Sequence, residues 1–151
     1  MIHGIQIKQL TPHPDERGCL TELLREDDEI FEHFGQAYVS LNYPGVVRAW
    51  HYHKKQDDLL TVVKGMAKVA LYDDREGSPT RGQVQEFFIG EQNPILVKIP
   101  VGVLHGYKTI GVEPALIINF PTRPYDPNDP DEYRLPWNTD QIPYDWALKN
   151  R

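Results

Sequence analysis

The sequence predicts an all-β protein folded as a jelly roll or barrel, and three observations carry that expectation. Short apolar runs, alternating or β-branched, recur between clusters of Gly, Pro, Asn and Asp. No stretch sustains the 3.6-residue period of a long helix. His51 and His53 stand two apart in an extended, valine-flanked run, so their imidazoles share one face of a strand, and His105 follows a later Pro100–Gly102 turn.

The elements follow in order. Ile2, Ile5 and Ile7 open an extended segment that the prolines at 12 and 14 are expected to stop, and Asp15-Glu16-Arg17-Gly18 reads as a turn. Residues 19–24 suit a second short strand. The acidic stretch 25–32 allows one helical turn at most. Residues 37–42 alternate as a strand does and end at Tyr43-Pro44-Gly45. The histidine strand comes next, then residues 59–64 and 66–72, the latter with Ala67, Val69 and Leu71 on one face. Residues 73–82 form a polar loop. Strands are expected at 83–89, 95–99 and 115–120, with turns at 90–94 and 100–102. From Pro121 onward the chain is too rich in proline for regular sheet. It reads as an ordered surface arm whose aromatics (Tyr125, Tyr133, Trp137, Tyr144 and Trp146) need a surface to pack on.

A length of 151 residues fits one domain, with a barrel core over about 15–120 and an arm over 121–151. The net charge of -6 excludes general attraction to nucleic acid or an anionic membrane. The single cysteine, Cys19, excludes an internal disulfide and fits a reducing cytoplasm. The N-terminus lacks the basic and apolar regions of a signal peptide, and no apolar run has the length of a transmembrane helix.

The spacing Gly45-x5-His51-x-His53-x4-Asp58-x6-Gly65, followed by Pro100-x-Gly102-x2-His105, resembles the two cupin motifs, with Asp58 where many cupins carry glutamate and Thr109 where they often carry asparagine. Further segments are Asp15-Glu16-Arg17-Gly18, Val46-Val47-Arg48-Ala49-Trp50-His51, the Ser78-Pro79-Thr80-x-Gly82 loop and Tyr125-Asp126-Pro127. With them the chain resembles the dTDP-4-dehydrorhamnose 3,5-epimerases and related sugar-nucleotide epimerases, over about residues 15–137.

The resemblance implies a cupin jelly roll, no metal, a nucleotide-diphosphate sugar as substrate and a homodimer joined through exchanged N-terminal strands. His51 matches the base that removes a proton beside a ketone, a task suited to a neutral imidazole. His105 matches the histidine of the facing strand, and His53 resembles the second of the paired histidines in deoxysugar keto-isomerases. Arg17 matches a diphosphate-gripping residue, and a guanidinium fork suits that task. Glu22 and Asn42 match residues near the nucleotide base. Arg48 matches an arginine near substrate phosphate or sugar oxygens. It lies three residues before His51, so a bulge or strand end is needed to bring both to one site. Two positions depart from the family: its catalytic lysine falls at Asp58 and its proton-donating tyrosine at Asn119. Tyr52, Tyr107 and Tyr125 are candidates to replace the tyrosine.

Two other readings stand beside this one. His51, His53, Asp58 and His105 make an N/O ligand set for a divalent transition metal in a metal-dependent oxygenase or isomerase. The missing lysine and tyrosine also suit a protein that binds a nucleotide sugar without turning it over.

Overall fold

A computed structural model describes residues 1–149, so the last two residues of the expected arm lie outside the described part. Twelve strands form two five-stranded antiparallel sheets and a separate hairpin, and no helix occurs among the described residues. The first sheet has the order β1 (Gln6–Gln9), β9 (Ile95–Ile99), β6 (Asp58–Lys64), β11 (Ala115–Asn119), β4 (Tyr38–Asn42). The second has the order β12 (Tyr133–Arg134), β5 (Val47–Tyr52), β10 (Leu104–Ile110), β7 (Met66–Tyr72), β8 (Val84–Gly90). Successive strands such as β5 and β6 lie in different sheets, and the two sheets pack as a β-sandwich of the expected jelly-roll class.

Alternation along the strands explains the packing. Ala67, Val69 and Leu71 point inward, as expected, and meet Leu60, Val62, Val97 and Ile117 from the facing sheet. Their neighbour Ala70 points out of the sandwich, where it joins a second cluster with Trp50, Leu104, Ile142 and Trp146. The C-terminal segment covers that outer face. Trp146 lies 5.1 Å from Trp50 between ring centroids, and the Lys68 ammonium donates to the carbonyls of Trp146 and Ala147, each at 3.2 Å.

Several local expectations need correction. Ile2 and Ile5 are buried core residues, but β1 begins only at Gln6, because a turn closes from the Ile5 N–H to the Ile2 carbonyl. The core therefore reaches outside residues 15–120. Pro12 and Pro14 do not stop the chain; they lie within β2 (Pro12–Asp15), paired with β3 (Gly18–Thr21) in a two-stranded hairpin. Spaced two apart, both rings fall at the same class of ladder position, where a missing N–H costs no bond. The proline-rich segment also contributes regular sheet, since β12 pairs with β5 through Tyr133↔Tyr52 and Arg134↔His51. Tyr133 stacks on Tyr52, and Tyr144 and Trp146 pack on Trp50, whereas Tyr125 and Trp137 stay 60% and 53% exposed. Among the described residues no helix is long and apolar enough to cross a membrane.

Candidate active site

His51 of β5, His53 just past the end of that strand and His105 of β10 meet the carboxylate of Asp58, the first residue of β6, between the two sheets. His51 and His105 are register partners with ring centroids 4.1 Å apart. His105 Nε2 lies 3.2 Å from Asp58 Oδ2, and His53 Nε2 lies 3.2 Å from the same oxygen. The aspartate is thus long enough to reach both rings. The opposite nitrogen of each ring also faces an acceptor: His105 Nδ1 the Val103 carbonyl at 2.9 Å, and His53 Nδ1 the Asp131 carbonyl. A carbonyl only accepts, so both Nδ1 atoms carry hydrogen.

This geometry sets the charges. Burial works against ionised Asp58, but the hydrogen bonds from His105 and His53 outweigh it and hold the carboxyl well below its usual range. Burial likewise disfavours protonated His53, yet its bond to Asp58 prevails and the net shift is upward. His53 then donates from both nitrogens. His51 goes the other way: desolvation, reinforced by His105, pushes it well below an ordinary imidazole. One neutral imidazole therefore stands beside a hydrogen-bonded histidine–aspartate cluster.

The bulge that Arg48 requires is present. From His105↔His51 to Tyr107↔Arg48, β10 advances two residues while β5 advances three. Arg48 and His51 consequently line one cavity of about 390 Å³, together with Asp58 and Asn119. Gly106 allows the bulged strand to approach, because a Cβ there would fall 2.2 Å from the Ala49 Cβ. Arg48 is held by its Nε, which donates to Asn42 Oδ1 at 3.0 Å. Asn42 itself is buried and donates to the Val46 carbonyl and to Thr109 Oγ1. Its side chain thus orients Arg48 and does not line the cavity.

Two expected residues are not brought to this cavity by a single chain. Arg17 sits at the tip of the β2–β3 hairpin, its side chain 84% exposed and paired with Asp15. Glu22, beyond the same hairpin, is exposed and pairs with Arg25. Conversely, Tyr38, Glu132 and Arg134 line the cavity although sequence reasoning gave them no role. Tyr38 and Glu132 also border an adjoining cavity of about 550 Å³ that His53 faces. Of the three tyrosines considered as replacements, only Tyr107 lines the cavity with His51.

The four donor atoms of His51, His53, Asp58 and His105 lie within 4.8 Å of one another. Two ligands of one ion at about 2.1 Å can stand at most about 4.2 Å apart, so three of the four fit an ion more readily than all four.

The profile of the dTDP-4-dehydrorhamnose 3,5-epimerase family matches residues 1–151. The spore coat polysaccharide biosynthesis protein SpsL of Bacillus subtilis is 49% identical over the full length of both chains. A Haloferax volcanii protein named "Probable low-salt glycan biosynthesis epimerase Agl13" is 48% identical over 96% of this chain and 94% of its own. The crystal structure of a dTDP sugar isomerase from Desulfovibrio desulfuricans G20 superposes with a TM-score of 0.93 at 34% identity, covering 99% of this chain and 94% of that one.

Proposed function

The chain belongs to the dTDP-4-dehydrorhamnose 3,5-epimerase family and is a sugar-nucleotide epimerase, and from that premise we propose that it acts on a nucleotide-linked 4-keto-6-deoxy sugar with His51 as the base. The observation that carries this reading is the state of His51: a neutral imidazole on the wall of a cavity that also holds Arg48. A neutral ring accepts a proton, and the carbon beside a ketone releases one because the enolate spreads the charge. Arg48 is the positive charge that faces the developing enolate or the sugar phosphate in place of the family's lysine, a form of electrostatic stabilisation. His105 and His53, fixed through Asp58, hold the His51 ring in position, so these two histidines and the aspartate are positioning residues. Asn119 binds substrate at the cavity wall. No cofactor is needed for this proton transfer.

The protein acts as a homodimer in this reading, with Arg17 on the β2–β3 hairpin and Glu22 just beyond it carried to the cavity of the other protomer. Two observations support it: the hairpin stands apart from its own cavity, and the edge strand β4 leaves Val39 and Leu41 61% and 48% exposed. The exposed free Cys19 suits a reducing compartment, so the cytoplasm is the expected location.

The test is NMR of a panel of nucleotide 4-keto-6-deoxy sugars in deuterated buffer. Deuterium at the carbon on either side of the ketone supports proton abstraction, and its position names the reaction. Absence of deuterium across the panel would count against the reading. The compact donor set favours one second reading, a metal-dependent cupin holding an ion through three of His51, His53, Asp58 and His105. Elemental analysis of protein purified without a histidine tag separates the two: stoichiometric metal, lost together with activity on chelation, would favour the second.

A further inference from the structure

We propose that Tyr38 is the acid that completes the inversion, delivering from the neighbouring strand the hydroxyl that position 119 lacks. The proposal rests on the epimerase reading above and concerns the second half of its reaction. Inversion at carbon needs a base on one side of the reacting atom and a proton donor on the other. His51 comes from β5 in one sheet, and Tyr38 comes from β4 in the sheet that faces it. Both line the same cavity of about 390 Å³. Tyr38 and Asn119 are register partners in the β4–β11 ladder, so the tyrosine stands beside the asparagine.

The hydrogen-bond direction matters most. Asn119 Nδ2 donates to the Tyr38 hydroxyl oxygen at 2.9 Å. The phenol oxygen is therefore an acceptor in that bond, and its own proton remains available to the cavity. Asn119 is buried, and its Oδ1 has no partner among the described residues. A buried carbonyl oxygen without a donor is costly, and a substrate hydroxyl would satisfy it. The amide thus fixes the tyrosine with one end and offers the sugar an acceptor with the other.

The competing tyrosines fail on geometry. Tyr107 lies on β10, in the same sheet as His51, and its hydroxyl donates to Ser40 Oγ at 3.3 Å. Tyr52 stacks on Tyr133, and Tyr125 is absent from the wall of this cavity.

The step balances without a further reactant. His51 takes the proton from the carbon beside the ketone, leaving an enolate and an imidazolium. The enolate carbon takes the Tyr38 proton on its opposite face and becomes the inverted ketone, leaving a phenolate. Solvent removes the proton from His51 and returns one to Tyr38. Tyr38 is 46% exposed, but desolvation on its cavity side raises its pKa to about 12, so the phenol enters each cycle protonated at neutral pH.

The test compares Tyr38→Phe with the unmodified protein in deuterated buffer, following deuterium wash-in and inverted product separately. The proposal expects the variant to keep His51-dependent wash-in with retention of configuration while inversion falls by about 100-fold or more, the usual scale for a positioned acid. Inversion that stays near the unmodified rate would overturn it, as would wash-in and inversion falling together with binding intact. If the Tyr38→Phe variant does not fold, a difluorotyrosine at position 38 keeps the shape and lowers the phenol pKa. The alkaline limb of inversion must then move to lower pH, and an unmoved limb would overturn the proposal. Unmodified protein that shows no wash-in at all would instead refute the epimerase reading itself.

Discussion

His105 reaches across the sandwich to Asp58, its Nε2 3.2 Å from a carboxylate oxygen rooted in the opposite sheet. Both side chains are almost fully buried, at 2% and 1% exposure. A buried polar pair in such a place is weak evidence of net stability, but removing one partner strands the other. Asp58→Ala is accordingly expected to destabilise the fold by about 3–5 kcal/mol, the range for a broken buried pair. Asp58→Asn, which keeps an acceptor oxygen, is expected to cost less. Urea unfolding of both variants checks this, and equal costs would show that the charge, not the acceptor, matters.

The His53–Asp58 bond makes stability depend on pH in a defined direction. His53 has a raised folded pKa, so its contribution is fully present below the unfolded value of 6.5 and is lost as pH rises through the folded value. Asp58 has a depressed pKa, so its contribution holds above 3.8 and is lost as pH falls through its folded value. His51 opposes His53, since its lowered pKa makes protonation at acid pH unfavourable to folding. Comparing wild type with His53→Gln isolates one term. The stability gap between them is expected to shrink as pH rises from about 6.5 through the raised folded value of His53. A gap that widened would contradict the assignment.

Gly106 marks where the bulged strand crowds its partner. Besides the Ala49 Cβ, an added methyl would meet the Ala49 Cα at 2.7 Å and the Arg48 carbonyl at 2.8 Å, contacts that backbone cannot yield cheaply. Gly106→Ala is expected to cost about 1–3 kcal/mol, the scale of overpacking, and to displace Arg48 and His51 together. Thermal melting and the wash-in rate should therefore both fall. A variant with unchanged melting and rate would show that the bulge does not depend on this contact.

Trp146 is the large side chain with which the C-terminal segment covers the outer face of the second sheet, 3% exposed against Trp50. Trp146→Ala is expected to destabilise by about 3–5 kcal/mol. Turnover per folded molecule should persist, since the His51 cavity lies on the other side of that sheet. Loss of turnover without loss of stability would tie the segment to the chemistry.

Much of this was legible in the sequence because it is local. The i, i+2 spacing placed His51 and His53 side by side, and the three-residue step from Arg48 to His51 demanded the bulge that β5 and β10 form. Alternation gave the inward face of β7. What escaped was non-local. Tyr38 reads as one more apolar position in AYVSLN, and only the pairing of β4 with β11 sets its hydroxyl against Asn119. Asn42 resembled a base-binding residue, but its fold neighbours Thr109 and Arg48 claim its amide. Pro12 and Pro14 looked like breaks because tolerance of proline depends on which ladder positions face a partner strand. Glu132 and Arg134 lay hidden in a proline-rich stretch whose pairing with β5 follows from tertiary packing.

The proposed chemistry turns on His51 removing the proton beside the ketone. The most direct measurement is deuterium wash-in from solvent by wild type and by His51→Asn, with nucleotide-sugar affinity measured alongside. Wild type is expected to label that carbon, and the variant to lose labelling by at least about 100-fold while binding with similar affinity. Labelling by the variant at the wild-type rate would contradict the claim and place the base elsewhere in the cavity.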